Sequence, residues 1–292
     1  MILQRVGPPG AEQLVTRTPD GRLHDLGSMD PLLAASPEGR AQVEHAVRAG
    51  RPLPRSPQAR VGAPVPRPGK LITVGLNYAD HAAEAAMDLP EEPVYFLKDP
   101  ATIVGSTDDI LLPEDSTALD WEVELAVVVG RDAHRLATPA EAAAHICGYT
   151  ISHDVCDRNW QLSGAPGWDR SKVTPTFNPL GPVLVTPDEL GDVGALRMRT
   201  WVDGRLRQDG ITADMRFSPA YLVWHLSQIT TLQRGDVIST GTPAGSGLGH
   251  SAEHYLRDGD VVELEITGLG RMRQRVRTVP TGPTRPTGSD EG

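Results

Sequence analysis

Asp120-Trp121-Glu122-Val123-Glu124-Leu125-Ala126-Val127-Val128-Val129 reads as a strand with acids set into an apolar run. Successive side chains of an extended chain alternate faces, so Glu122 and Glu124 share one face with Ala126 and Val128, roughly 6–7 Å apart at Cα. A stretch this rich in Val is a buried strand. Two carboxylates side by side in a dry site repel each other and take up protons unless a cation neutralises them. The pair therefore points to a metal. The competing reading, an exposed face with two solvated acids, fits poorly with so long a Val run.

Around this strand the chain reads as short β runs separated by Gly, Pro and Asp turns: Leu71 to Val74, Val94 to Leu97, Cys147 to Val155, Gly181 to Val185, Arg197 to Val202, Asp236 to Thr240, Val261 to Thr267 and Met272 to Val279. Helices interrupt these runs rather than alternating with them. One starts at the capping box Thr138-Pro139-Ala140-Glu141, another at Ser218-Pro219, running to about Ile229. The fold class expected is α+β and predominantly β, closer to a sandwich than to a parallel βαβ sheet. Six prolines between Pro52 and Pro68 set off a small N-terminal α/β domain, residues 1–69, from a catalytic domain over 70–279. The front piece has a strand-like start over Met1 to Val6, a turn at Asp20-Gly21, and a helix capped by Ser36, opened by Pro37 and ended by Gly50. Residues 280–292 read as a disordered tail.

Composition narrows the function. A net charge of -10 argues against nucleic acid or an anionic membrane as partner. No run approaches the roughly 18 apolar residues of a membrane span, and the N-terminus lacks a basic stretch followed by an apolar one. A cytoplasmic location is expected. Cys147 and Cys156 lack metal or disulfide spacing and read as inert fillers. Of 28 basic residues only Lys70, Lys98 and Lys172 are lysine, which draws attention to each.

Chemistry-bearing residues gather in four further places. Asp154, in Ile151-Ser152-His153-Asp154-Val155, can add a third carboxylate to Glu122 and Glu124, an all-oxygen set suited to Mg²⁺, Mn²⁺ or Ca²⁺. His153 points away from Asp154 and reads as a packed or surface histidine. Asn77 can cap a short helix on which His81 and Glu84, three apart, share a face, so that the carboxylate orients the imidazole as a general base. Arg158 and Gln161 can face an oxyanion from one helical turn, with Lys172 adding a charge. The Gly-rich run Gly235 through Gly245 lacks GxxxxGK and reads as a loop whose amides and Thr242 approach a small anion.

Taken in order, Gly75-Leu76-Asn77-Tyr78 through Glu84, Asp120 through Gly130, Gly148-Tyr149-Thr150 through Gln161, Lys172 through Pro182, and Gly235 through Gly245 resemble the fumarylacetoacetate hydrolase family, over roughly Lys70 to Arg277. The chain departs from many relatives at Pro175, where they carry an aspartate. The resemblance implies a mixed β-sandwich roll, usually a homodimer, with Mg²⁺ or Mn²⁺ on Glu122, Glu124 and Asp154, or Ca²⁺ in crystals. It also implies catalytic roles for His81, Glu84 and Lys172, and substrate contacts at Tyr78, Arg158, Gln161, Gly241 and Thr242. The expected reaction is hydrolysis of a C–C bond in a small 2,4-dioxo acid through a metal-stabilised enolate, with His81 activating water. Isomerisation of a hydroxydienoic acid and decarboxylation of an oxaloacetate-like acid use the same groups. A non-catalytic ligand-binding protein of the same fold is the alternative from another class.

Overall fold

A computed structural model of the chain describes residues 1–18, 20–50, 52–53, 59–162, 169–249 and 255–279. The tail expected over 280–292 and part of the Pro-rich stretch lie outside the described residues. Two sheets face each other. The larger is mixed and has twelve described strands; its main path runs Pro52–Leu53, Leu23–Gly27, Gln13–Arg17, Ile2–Val6, Asn178–Val185, Ile146–His153, Val123–Val129, Val237–Ser239, Leu71–Gly75, Val94–Lys98. The smaller runs Arg205–Ile211, Arg197–Val202, Val261–Ile266, Gly270–Val279, Ile110–Pro113. No described helix is long and apolar enough to cross a membrane.

Val123–Val129 is buried along its whole length because both edges and both faces are covered. It pairs antiparallel with Ile146–His153 on one side and Val237–Ser239 on the other. Alternation sends Val123, Leu125, Val127 and Val129 into the core shared with Met198, Val262 and Met272 of the smaller sheet. Ala126 and Val128 face the other way, onto Leu3, Leu14, Leu26 and Val43 of the front piece. The front piece thus continues the large sheet and packs on its back. Ile2 pairs with Val185, and the division at residue 69 does not interrupt the ladder.

The long strand expected over Asp120 to Val129 is broken, and the break builds the site. Leu119–Asp120 leaves the large sheet to pair with Cys156–Asp157, while Val123 pairs with His153. Between these two ladders Trp121-Glu122 lies opposite Asp154-Val155, joined by Asp154 N donating to Glu122 O at 3.0 Å. The hairpin Gln13–Arg17/Leu23–Gly27 and the strands Ile110–Pro113 and Arg205–Ile211 were not legible as apolar alternation; they are short or largely polar.

The helix starts follow the local chemistry. Ser36 accepts from Gly39 N ahead of Pro37–Ala49, Thr138 from Glu141 N ahead of Pro139–Ala143, and Ser218 from Tyr221 N ahead of Pro219–Ile229. Asn77 differs from expectation. The short helix Ala79–Glu84 begins at Tyr78 with no side-chain cap. The Asn77 amide instead donates to Phe217 O at 3.0 Å and Thr240 O at 2.7 Å and accepts from Phe217 N at 2.8 Å. Buried backbone groups without other partners outcompete a helix end that water can reach.

Candidate active site

Where the strands part, one oxygen from each of Glu122, Glu124 and Asp154 lies within 4.8 Å of the others, and all three residues are buried. Cations surround two of the three. Arg158 opens the short helix Arg158–Leu162; its Nε donates to Asp120 at 2.6 Å, one terminal nitrogen to Gln161 Oε1 at 2.8 Å, and the other to Glu122. Lys172 Nζ donates to Glu122 Oε2 at 2.9 Å and to Asp154 Oδ2. Lys98 Nζ reaches Asp154 Oδ1 at 2.5 Å and Phe177 O at 2.6 Å, and Thr73 Oγ1 donates to Asp154 Oδ2 at 2.9 Å.

These partners decide the charge states. Burial works against the Glu122 carboxylate, yet Lys172 and Arg158 hold its carboxyl well below the usual range. Asp154 is likewise lowered, Lys172 and Lys98 outweighing burial. Burial also works against the Lys172 ammonium, but Asp154 and Glu122 raise it above its ordinary value. Glu124 goes the opposite way. Burial pushes its carboxyl well above the usual range, Asp154 and Glu122 add repulsion, and Lys172 and the Gly241 amide, which donates at 2.7 Å, offset this only in part. Formally a contiguous cluster of four carboxyl groups, at Asp120, Glu122, Glu124 and Asp154, faces three cations, at Lys98, Arg158 and Lys172, so one carboxyl has no cation of its own. That one is Glu124, and its raised pKa keeps a proton there until a cation displaces it. An all-oxygen donor set with one unneutralised carboxylate fits a hard divalent cation such as Mg²⁺ or Mn²⁺, held by Glu122, Glu124 and Asp154.

The same cavity is lined by His81, Gln161 and Thr242. His81 Nδ1 lies 3.3 Å from Glu84 Oε2, and both Glu84 oxygens accept from Gly245 N, at 3.0 and 3.1 Å. The dyad is thereby anchored to the glycine-rich loop. A proton held on Nδ1 by Glu84 leaves Nε2 as the basic nitrogen. Gly241 has φ +95°, and a Cβ there would meet Asn77 Cβ at 2.9 Å, so the close approach of its amide to Glu124 requires glycine. Thr242 lines the cavity with its hydroxyl already engaged, donating to Val123 O at 2.9 Å and accepting from Gln208 Nε2 at 2.8 Å. Tyr78 is placed apart from this group: it is fully buried, its hydroxyl against Met198 Sδ at 3.1 Å, and it does not line the cavity.

Two residues that the sequence reading left without a role, Asp120 and Lys98, prove to be part of the ion cluster. Lys98 had a signal, being one of three lysines in an arginine-rich chain. Asp120 had its place directly before Trp121-Glu122. Its oxygens take Arg158 Nε and the amides of Trp121 and Gly247, at 2.8 and 2.6 Å. His153 packs away from the cluster: Nδ1 lies 3.2 Å from Gln274 Oε1, and burial drives its pKa down to about 3. Cys147 and Cys156 are free and buried, and burial pushes both thiols up to about 12.

Residues 70–277 match the model of the fumarylacetoacetate (FAA) hydrolase C-terminal domain. The chain belongs to the fumarylacetoacetate hydrolase family. Among curated relatives, a protein of Burkholderia multivorans provisionally named a hydrolase is 45% identical over 281 residues, covering 95% of this chain and 99% of that protein. The crystal structure of 5-carboxymethyl-2-hydroxymuconate delta-isomerase from Mycobacterium smegmatis is 34% identical, with TM-score 0.75 and coverage of 96% of this chain and 100% of that one. Maleylpyruvate hydrolase from Sphingobium sp. SYK-6, solved with manganese(II) and pyruvate, is 27% identical, with TM-score 0.78 and coverage of 95% and 99%. The fold of this fumarylacetoacetate hydrolase family member is therefore one that hydrolases and isomerases share.

Proposed function

We propose that this protein hydrolyses a C–C bond in a small 2,4-dioxo acid of the acylpyruvate or fumarylpyruvate type, with Mg²⁺ or Mn²⁺ on Glu122, Glu124 and Asp154. The observation that carries this reading is the His81–Glu84 pair, in which His81 lines the same cavity as the carboxylates and Glu84 is fixed by the amide of Gly245. When bound, the divalent ion supplies Lewis acidity toward substrate oxygens. The chain's own residues do the rest. Lys172, kept protonated by Glu122 and Asp154, presents a fixed positive charge where negative charge develops. Arg158 holds Glu122 and Gln161 in register. His81 Nε2 takes a proton from water as its oxygen adds to the distal carbonyl, and Glu84 stabilises the imidazolium. The bond between that carbonyl and the methylene then breaks; the electron pair stays with the 2-oxo acid fragment, which takes up a proton, and the other product is a carboxylic acid.

Isomerisation of a hydroxydienoic acid is the second reading, favoured by the full-length likeness to the Mycobacterium smegmatis isomerase. It moves a proton and adds no water. One experiment tests both: incubation with acylpyruvates, fumarylpyruvate, oxaloacetate and hydroxydienedioates, before and after EDTA and with Mg²⁺ or Mn²⁺ restored, with product masses read out. Hydrolysis gives two fragments whose masses sum to substrate plus water, and only with metal. Full turnover without metal, or product of unchanged mass, overturns the proposal.

A further inference from the structure

The cavity is charged at its floor and apolar at its mouth. Glu122, Glu124, Asp154, Arg158 and Lys172 are all buried, whereas Met87 is 46% and Leu162 68% exposed. Leu76, Ala85, Phe96 and Leu248 complete the apolar wall. Among the described residues that line the cavity, Arg158 and Lys172 are the lysine and arginine side chains, and both are already committed. The three guanidinium nitrogens of Arg158 go to Asp120, Glu122 and Gln161, and Lys172 goes to Glu122 and Asp154. Residues 79–93, which supply Ala85 and Met87, contain no lysine or arginine but do contain Asp88, Glu91 and Glu92.

From this asymmetry, and resting on the dioxo-acid reading above, we infer that the site selects a monocarboxylate whose far end is an uncharged alkyl or aryl acyl group and discriminates against dicarboxylates. The floor, which carries Arg158, Lys172 and the divalent-cation site, receives one substrate carboxylate. A second carboxylate, carried outward by the length of the substrate, arrives against the apolar side chains of Met87 and Leu162, beyond Lys172, which lies over the Phe96 ring with its Nζ already bonded to Glu122 and Asp154. There it loses hydration without compensation and is repelled by the acidic segment beside Met87. An apolar tail in the same place gains by removing its own surface and that of the wall from water. Fumarylpyruvate is then a poor ligand, and acylpyruvates with a butyl or phenyl tail good ones.

The test compares two non-cleavable acids of equal chain length, 2-oxohexanoate and 2-oxoadipate, by calorimetric titration into the full-length, Mg²⁺-loaded protein. 2-Oxohexanoate is expected to bind tighter by roughly 100-fold, the discrimination an apolar pocket shows against an analogue that adds a polar group. Met87→Arg, at an exposed position where the fold tolerates charge, is expected to narrow that ratio at least tenfold, while Met87→Leu keeps it. Equal affinity for the two acids, or tighter binding of 2-oxoadipate, overturns the inference. Turnover is scored separately with an acylpyruvate and fumarylpyruvate. If neither is cleaved while the binding preference holds, hydrolysis fails as the reaction and the selectivity of the wall stands.

Discussion

Lys98 and Lys172 clamp Asp154 from two sides: Lys98 Nζ lies 2.5 Å from Oδ1 and Lys172 Nζ donates to Oδ2. Lys98 is itself fully buried and held by Phe177 O, so it reaches no substrate. Its role is to neutralise and aim a carboxylate that would otherwise turn in its pocket.

Lys98→Met removes that cation and leaves four carboxyl groups facing two cations, with Asp154 short of one partner. Losing one partner of a buried pair costs about 3–5 kcal/mol, because the other charge is left uncompensated. The metal-free variant is therefore expected to unfold well below the native protein, and saturating Mg²⁺ or Mn²⁺ to recover a larger share of stability than it adds to the native chain. Thermal unfolding in EDTA and in excess metal measures both. A variant as stable as the native protein in EDTA would show that the cluster does not carry this charge balance.

His153 sets an acid limit on the fold. Burial lowers its pKa to about 3 from an ordinary 6.5, and the ring is neutral with Nδ1–H donating to Gln274. A group depressed in the folded state contributes stability that is present above the unfolded pKa and lost as pH falls toward the folded one. The loss begins near pH 6.5 and grows by about 1.4 kcal/mol for each pH unit below it. Unfolding free energies from urea titrations at pH 7 and pH 5 are expected to differ by about 2 kcal/mol in the native chain from this group. His153→Asn is expected to flatten that slope even if its absolute stability is lower; an unchanged slope would assign the acid sensitivity elsewhere.

Gly241→Ala tests the loop that carries the Glu124 amide contact. Positive φ and a Cβ 2.9 Å from Asn77 Cβ make the substitution strained on two counts, with an expected cost of about 1–3 kcal/mol. Because Asn77 bridges Thr240 and Phe217, the shift is expected to move the Gly241 amide off Glu124 and to weaken Mg²⁺ binding as well. Calorimetric metal titration alongside thermal unfolding separates the two effects. Unchanged metal affinity would show that the amide does not orient Glu124.

The acid trio was legible in the sequence because period-2 alternation and a Val run are local signals, and they placed Glu122 and Glu124 on one face without a structure. The break at Trp121-Glu122 was not legible. It depends on Asp120 pairing opposite Cys156 and on Gly247 donating to Asp120, contacts more than 30 residues apart that leave no periodic trace. For the same reason Asn77 read as a cap: its side-chain chemistry was visible, but the carbonyls of Phe217 and Thr240 that claim it were not. Lys98 and Asp120 entered the site through charge pairing across strands, and spacing cannot announce such pairs.

The His81–Glu84 pair makes the sharpest statement about mechanism. Glu84 accepts from both His81 and Gly245, so Glu84→Gln keeps a side chain of the same shape while removing the charge that stabilises the imidazolium. If His81 is the base that activates water, Glu84→Gln and His81→Ala are expected to lower kcat for an acylpyruvate by about 10²–10⁴-fold. Both variants should retain Mg²⁺ affinity, since neither residue touches Glu122, Glu124 or Asp154 through a hydrogen bond. Steady-state kinetics with metal-saturated protein measure this, and a His81→Ala variant with native kcat would remove the imidazole from the reaction.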